Sequence, residues 1–116
     1  MVWQVEYYFS VQNLCRDMFL RSKMADGGWI PAAVIAGFNR VRMLTPDLAV
    51  IIASLQNSSI VELSADGALM RARENWQNWV LAPAQRDPTA QALIPPLSTE
   101  VPSRGAERYA FHVARA

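Results

Sequence analysis

Cysteine and histidine are nearly missing from this chain, with one of each, Cys15 and His112. A lone cysteine closes no intramolecular disulfide, and a single distant histidine completes neither a zinc cluster nor a Cys/His catalytic pair, so no metal and no cofactor are expected. Long apolar runs are lacking too. None approaches the roughly 18 residues of a membrane span, and Met1-Val2-Trp3-Gln4 does not have the form of a signal peptide, which points to a reducing, cytoplasmic setting without membrane contact. Charge of one sign is also scarce: 11 basic against 10 acidic residues leave a net +1. A protein that holds nucleic acid chiefly by neutralising many phosphates is far more basic. No nucleophile with a partner base and no phosphate-cradling loop stands out, so the chain does not read as an enzyme.

What is present is enough apolar material for one core: 116 residues, 52% of them hydrophobic. Apolar residues recur at helical spacing from Trp3 to about Arg73, whereas the remainder holds Pro83, Pro88, Pro95, Pro96 and Pro102 and little periodicity. The expected organisation is a folded domain over residues 1–82 and a Pro-rich tail or linker over 83–116, with a short helix from Gly105 to Ala116 if that stretch docks. A first helix is expected from Gln4 to Phe9. Asn13 is then read as the N-cap of a second helix that pairs Leu14 with Met18 and Cys15 with Phe19, ending at Asp26-Gly27-Gly28. Pro31 to Ala36 and Leu48 to Leu55 read as further helices, the latter so apolar that burial is expected. Asp66-Gly67 between two β-prone runs signals a hairpin. Helices followed by a terminal hairpin give an α+β winged helix, mostly helical with a small C-terminal wing and an irregular tail. Trp29, Ile30, Val34, Ile35, Leu48, Ile51, Ile52 and Leu55 are the expected core, with Phe9 beside them and Cys15 as a small buried hydrophobe.

Gln4, Tyr7 and Tyr8 fall at i, i+3 and i+4 and therefore share one helical face, two rings beside an amide that both donates and accepts. Single-stranded RNA is read by such sets, bases stacking on rings while amides meet their edges. Taken one at a time the same residues have plainer explanations. Tyrosines and phenylalanines at helical spacing usually pack a core, and Asp17 has Arg21 four residues on for an ordinary surface ion pair of about 0.3–0.5 kcal/mol.

The stretches QVEYYFSVQNLCRDMFLRSKM, GWIPAAVIAGFNRVRMLTPD and SIVEL, in this order and spacing, resemble the La motif, the winged-helix RNA-binding domain of La and La-related proteins. YYFS, the run NL-x-RD-x-FLR-x-KM, Glu74-Asn75-Trp76 and Trp79 look most like the type-1 La-related branch. The resemblance implies an RNA pocket formed by Gln4, Tyr7, Tyr8, Asp17, Phe19 and Phe38. Gln4 would bond a base edge, the rings would stack or wall in the last bases, and Asp17 would accept from the 2′- and 3′-hydroxyls of the terminal ribose. Carboxylate chemistry agrees, since an acceptor-only group welcomes two hydroxyls, repels a 3′-phosphate and finds one donor fewer in DNA. The branch further implies poly(A) 3′ ends and mRNA stability; a cytoplasmic monomer that supports mRNA stability or translation is expected. Arg16, Arg40, Arg71 and Arg73 are the candidate phosphate contacts, although Ala72 stands where the family wing has an arginine. Arg86 to Pro95 resembles the motif that docks on poly(A)-binding protein, without its leucine at Arg86 and with Leu93 in place of phenylalanine.

Competing classes are weaker or compatible with this one. The helix at Leu48 to Leu55 carries no Lys or Arg and is poorly suited to reading a DNA major groove. A protein-interaction module built on exposed aromatics and the Pro-rich tail is the alternative.

Overall fold

A computed structural model of the chain describes residues 1–94 other than Pro46. The order is α1 (Val2–Tyr8), α2 (Val11–Leu14), α3 (Met18–Arg21), β1 (Ile30–Pro31), α4 (Ala32–Ala36), α5 (Asn39–Leu44), α6 (Leu48–Leu55), β2 (Val61–Leu63), β3 (Leu69–Ala72) and α7 (Pro88–Ala92). The strands form one antiparallel sheet in the order β1-β3-β2, with Met70 of β3 opposite both Ile30 and Leu63. Helices followed by a hairpin wing make this the expected winged helix, to which β1 adds a third strand that a two-residue Ile-Pro segment did not announce.

The core lies between the helices and the sheet. Val5 and Phe9 of the first turns, Leu14, Leu20, Ile35, Val41, Ile51, Leu55, Val61 and Met70 are all buried in it. α1 thus faces two ways: Val5 and Phe9 point inward at i, i+4, while the stripe beginning at Gln4 continues through Tyr7 and Tyr8 toward the surface.

The second expected helix is two. Ser10, not Asn13, caps α2, its hydroxyl oxygen accepting from the Asn13 backbone N–H at 3.3 Å. The chain then breaks at Cys15–Asp17, and Asp17 restarts it as the N-cap of α3, accepting from the Leu20 backbone N–H at 2.9 Å. A carboxylate satisfying an orphan N–H is a strong helix start, and it overrides the continuous apolar spacing that joined Leu14 to Met18. Cys15 lies at this break and is exposed, not buried. α5 is a further element that the sequence did not single out; Phe38, in extended backbone, is its N-cap.

α6 starts at the expected place, with the Asp47 carboxylate accepting from the Ala49 N–H at 3.0 Å. It is less buried than its composition suggested. Ile51 and Leu55 are fully covered and Leu48 and Ile52 partly so, but Val50 is 46% exposed, because a helix lying on a core buries one stripe only.

The wing is buried on both faces. Glu62 and Arg71 are cross-strand partners bonded at 2.8 Å, and the Arg71 guanidinium lies over Trp29 (4.2 Å to the ring centre) and Trp76 (4.9 Å) while donating to the Gly27 carbonyl. Gly28 makes this approach possible: its φ is +79°, and a Cβ there would stand 2.9 Å from that of Trp76.

The beginning of the expected irregular tail is helical and packed. Asp87 caps α7 through the Thr89 N–H, Ala90 and Ile94 join Ala25, Trp29 and Leu69 in a second small core, and Gln91 donates to the Met24 carbonyl at 3.2 Å. The Asp87 carboxylate pairs with Lys23, and Arg86 pairs with Asp26 at 2.9 Å. Pro88 as the first helical residue and apolar side chains four apart, Ala90 and Ile94, explain the docking. The helix expected from Gly105 to Ala116 lies outside the described residues.

Candidate functional site

Where α1, the α2–α3 break and the start of α5 meet, they enclose an open cavity of about 500 Å³ lined by Gln4, Tyr7, Tyr8, Asn13, Arg16, Phe38, Asn39 and Arg40. Gln4, only 3% exposed, is the buried polar group of α1. The Tyr8 ring meets Phe38 edge-on at 5.4 Å and 84°, and Phe38 is followed by Phe19 at 6.0 Å and 46°, so three rings form one continuous wall. Phe19 is 64% exposed, an orientation that leaves most of a stacking surface in solvent. Lys23 Nζ sits 4.3 Å from its ring centre.

Burial raises the Tyr8 phenol above its ordinary value; the Arg40 cation opposes that shift, the Asp17 carboxylate adds to it, and the side-chain hydrogen bond with Gln4 opposes it. Tyr8 therefore remains a neutral hydrogen-bonding group at physiological pH. Tyr7 is held from the other side, its hydroxyl oxygen accepting from Arg16 Nη2 at 2.5 Å. Asp17 joins the cavity through Asn13, whose Nδ2 donates to Asp17 Oδ2 at 3.0 Å, while Asp17 Oδ1 takes the Leu20 N–H. Each carboxylate oxygen keeps acceptor capacity for a further donor. Arg21 is not its ion-pair partner; the Arg21 Nε donates to the Trp79 carbonyl at 2.9 Å and its guanidinium covers the Trp79 ring.

All six residues expected in a pocket, Gln4, Tyr7, Tyr8, Asp17, Phe19 and Phe38, thus occupy one region. Two of the four candidate phosphate contacts, Arg16 and Arg40, are there as well. Arg71 and Arg73 are elsewhere: the first is held between Trp29, Trp76 and Glu62, and the second donates to the Ser58 and Val61 carbonyls. A guanidinium committed in this way acts as structural cement for the wing. Asn13 and Asn39 were missed as cavity residues. Asn13 carried a signal, an amide four residues ahead of a carboxylate, whereas nothing local marks Asn39, which enters only because α5 begins there.

The family model of the La domain matches residues 1–57. In shape, the N-terminal domain of the La autoantigen superposes with a TM-score of 0.60 at 35% identity, covering 63% of this chain and 82% of that one. This chain belongs to the La domain family. Among curated relatives, La-related protein 1C of Arabidopsis thaliana is 46% identical over 86 residues, 74% of this chain and 16% of that protein. An HTH La-type RNA-binding protein of Schizosaccharomyces pombe is 37% identical over 101 residues, 83% of this chain and 21% of that protein. The chain therefore spans about a fifth of the length of these relatives. The stretch matched by the La domain model holds the whole cavity lining together with Asp17 and Phe19, and excludes Arg71 and Arg73.

Proposed function

We propose that this La domain binds single-stranded RNA at its free 3′ end, with poly(A) preferred, and that within a longer cytoplasmic protein it supports mRNA stability or translation. The observation that supports the reading is a cavity lined by the buried amide of Gln4 with Tyr7, Tyr8 and Phe38, from which the ring wall runs on to Phe19, and whose Asn13 holds the helix-capping carboxylate of Asp17, a group with acceptor capacity to spare. Gln4 meets a base edge, Tyr7, Tyr8, Phe19 and Phe38 receive the last bases, and Asp17 takes the 2′- and 3′-hydroxyls. Arg16 and Arg40 stand at the cavity to meet phosphate oxygens. Stacking at about 1–3 kcal/mol per base over two or three bases, together with the hydrogen-bonded ribose, brings binding to about micromolar or tighter without a strongly basic surface. The role is binding, with no catalytic step.

The outward face of α6 exposes Ala49, Val50 and Ala53, and its one hydroxyl, that of Ser54, already donates to the Val50 carbonyl at 2.7 Å, which argues against duplex DNA as the ligand. Docking on poly(A)-binding protein through Arg86 to Pro95 remains a second proposal, and it requires α7 to leave its place, because Ala90 and Ile94 are buried against this domain.

The test is fluorescence anisotropy with a 5′-labelled oligoadenylate, beside the same strand carrying a 3′-phosphate and beside its DNA counterpart. Tight binding is expected only for the free-ended RNA, and Asp17→Asn should bring the three affinities together. Equal binding of all three by the unaltered chain, or none, would move the ligand site elsewhere and favour the protein-interaction reading.

A further inference from the structure

Asn13 is 7% exposed and forms part of the cavity wall. Its Nδ2 donates twice, to the Tyr8 carbonyl at 2.9 Å and to Asp17 Oδ2 at 3.0 Å. An amide NH2 has two hydrogens, so both are committed, and the reversed amide would face its oxygen toward two acceptors. The orientation of Asn13 is therefore fixed by chemistry. Asp17 is consequently gripped at both oxygens, Oδ2 by α2 and Oδ1 by the first turn of α3. A carboxylate held by the cap alone can still turn about its bond to Cβ. With the second bond its plane is set before a ligand arrives, and a preset acceptor loses less freedom on binding.

We propose that Asn13 is a positioning residue for terminal-ribose recognition: by tying the end of α1 to the Asp17 carboxylate it presets the geometry in which that group accepts two hydroxyls. This rests on the reading of the cavity as a 3′-end site. Asn13 acts through Asp17, so its removal should lower the preference for a free end more than it lowers RNA binding as a whole. A purely structural role, closing the end of α1 through the Tyr8 carbonyl, would instead weaken every ligand equally.

The test uses the full chain and two variants, Asn13→Ala and Asn13→Asp, each checked for cooperative thermal unfolding, with affinities for free-ended and 3′-phosphorylated oligoadenylate compared. For Asn13→Ala the ratio of the two affinities should fall about three- to tenfold, the range of one ordinary lost hydrogen bond, since Asn13 acts only through Asp17. Asn13→Asp keeps the shape but sets two carboxylates face to face, with Tyr7 and Tyr8 of α1, Arg40 of α5 and Arg16 of the α2–α3 break as the titratable and charged groups of the cavity. As pH falls the pair takes up a proton, and the protonated member again donates to the other. Because a second carboxylate also repels a 3′-phosphate, Asn13→Asp is read against the DNA counterpart: its preference for free-ended RNA over DNA should fall at neutral pH and recover toward acid, a recovery the unaltered chain does not show. An unchanged ratio in either folded variant, or equal weakening for both strands, overturns the proposal. Absence of any free-end preference in the unaltered chain overturns the 3′-end reading and this inference with it.

Discussion

Arg71 and Asp17 show how differently two charged residues are used here. Arg71 lies between two tryptophans and bonds Glu62, itself only 9% exposed. Removing it leaves a buried carboxylate without its partner and forfeits two cation–π contacts, so Arg71→Ala should lower stability by about 2–4 kcal/mol. RNA affinity measured well below the unfolding midpoint should change less than twofold; a large selective loss of affinity would restore Arg71 to the phosphate contacts. Asp17 caps α3 and is tied through Asn13 to the cavity lining. Asp17→Asn can keep the capping oxygen but loses the bond from Asn13, whereas Asp17→Ala loses the cap as well and should cost about 1 kcal/mol more in thermal or denaturant unfolding. At this scale the sequence disclosed residue types and not their company. Six pocket residues could be named from their order along the chain, but a guanidinium on a wing strand gives no local sign of whether it meets solvent or two indoles.

Among the elements, α7 lies where the sequence suggested only tail. Its anchor is the Asp87–Lys23 pair, and that hydrogen bond, followed by the Thr89 N–H, holds the Asp87 carboxyl below its ordinary value. A carboxyl depressed in the folded state stabilises it fully above the unfolded value, about 3.9, and the contribution is lost as pH falls through the lower folded value. Docking of α7 should therefore be pH-independent from 7 to about 5 and loosen below about 4. Amide hydrogen exchange at Ala90 and Gln91 reads this directly. Asp87→Asn, which keeps the cap but not the charge, should raise their exchange at neutral pH and flatten the acid response; unaltered exchange would mean that Ala90 and Ile94 alone hold the helix. The start of α6 after Asp47 and the turn at Asp66-Gly67 were legible because capping and turn chemistry is local, whereas Pro31, expected as the first residue of its helix, is instead the end of β1 and the N-cap of α4. The α2–α3 break, α5 and β1 were not legible, since the first depends on one side-chain cap outcompeting apolar periodicity and the others are too short to show a period.

The molecule as a whole carries almost no net charge, +1 over 116 residues. With Arg16 and Arg40 as the cationic members of the cavity lining, about two phosphates should be neutralised, giving a slope of log affinity against log salt near −1.4 for a single strand. A salt titration with oligoadenylate checks this, and a slope steeper than about −4 would require a phosphate track beyond the cavity. The same balance explains why composition pointed to stacking as the main source of affinity. By itself the sequence determined the winged-helix outline, the identity of the ring-and-carboxylate set and its match to the La motif, because periodicity, caps and residue order are properties of neighbours along the chain. Tertiary structure alone decided which of those residues share a cavity, that Arg71 and Arg73 are consumed by the wing, that Cys15 is exposed and that α7 is docked. Those outcomes depend on contacts between segments far apart in sequence, such as Trp29 with Arg71 and Lys23 with Asp87, where packing and desolvation select among partners that local spacing leaves equivalent.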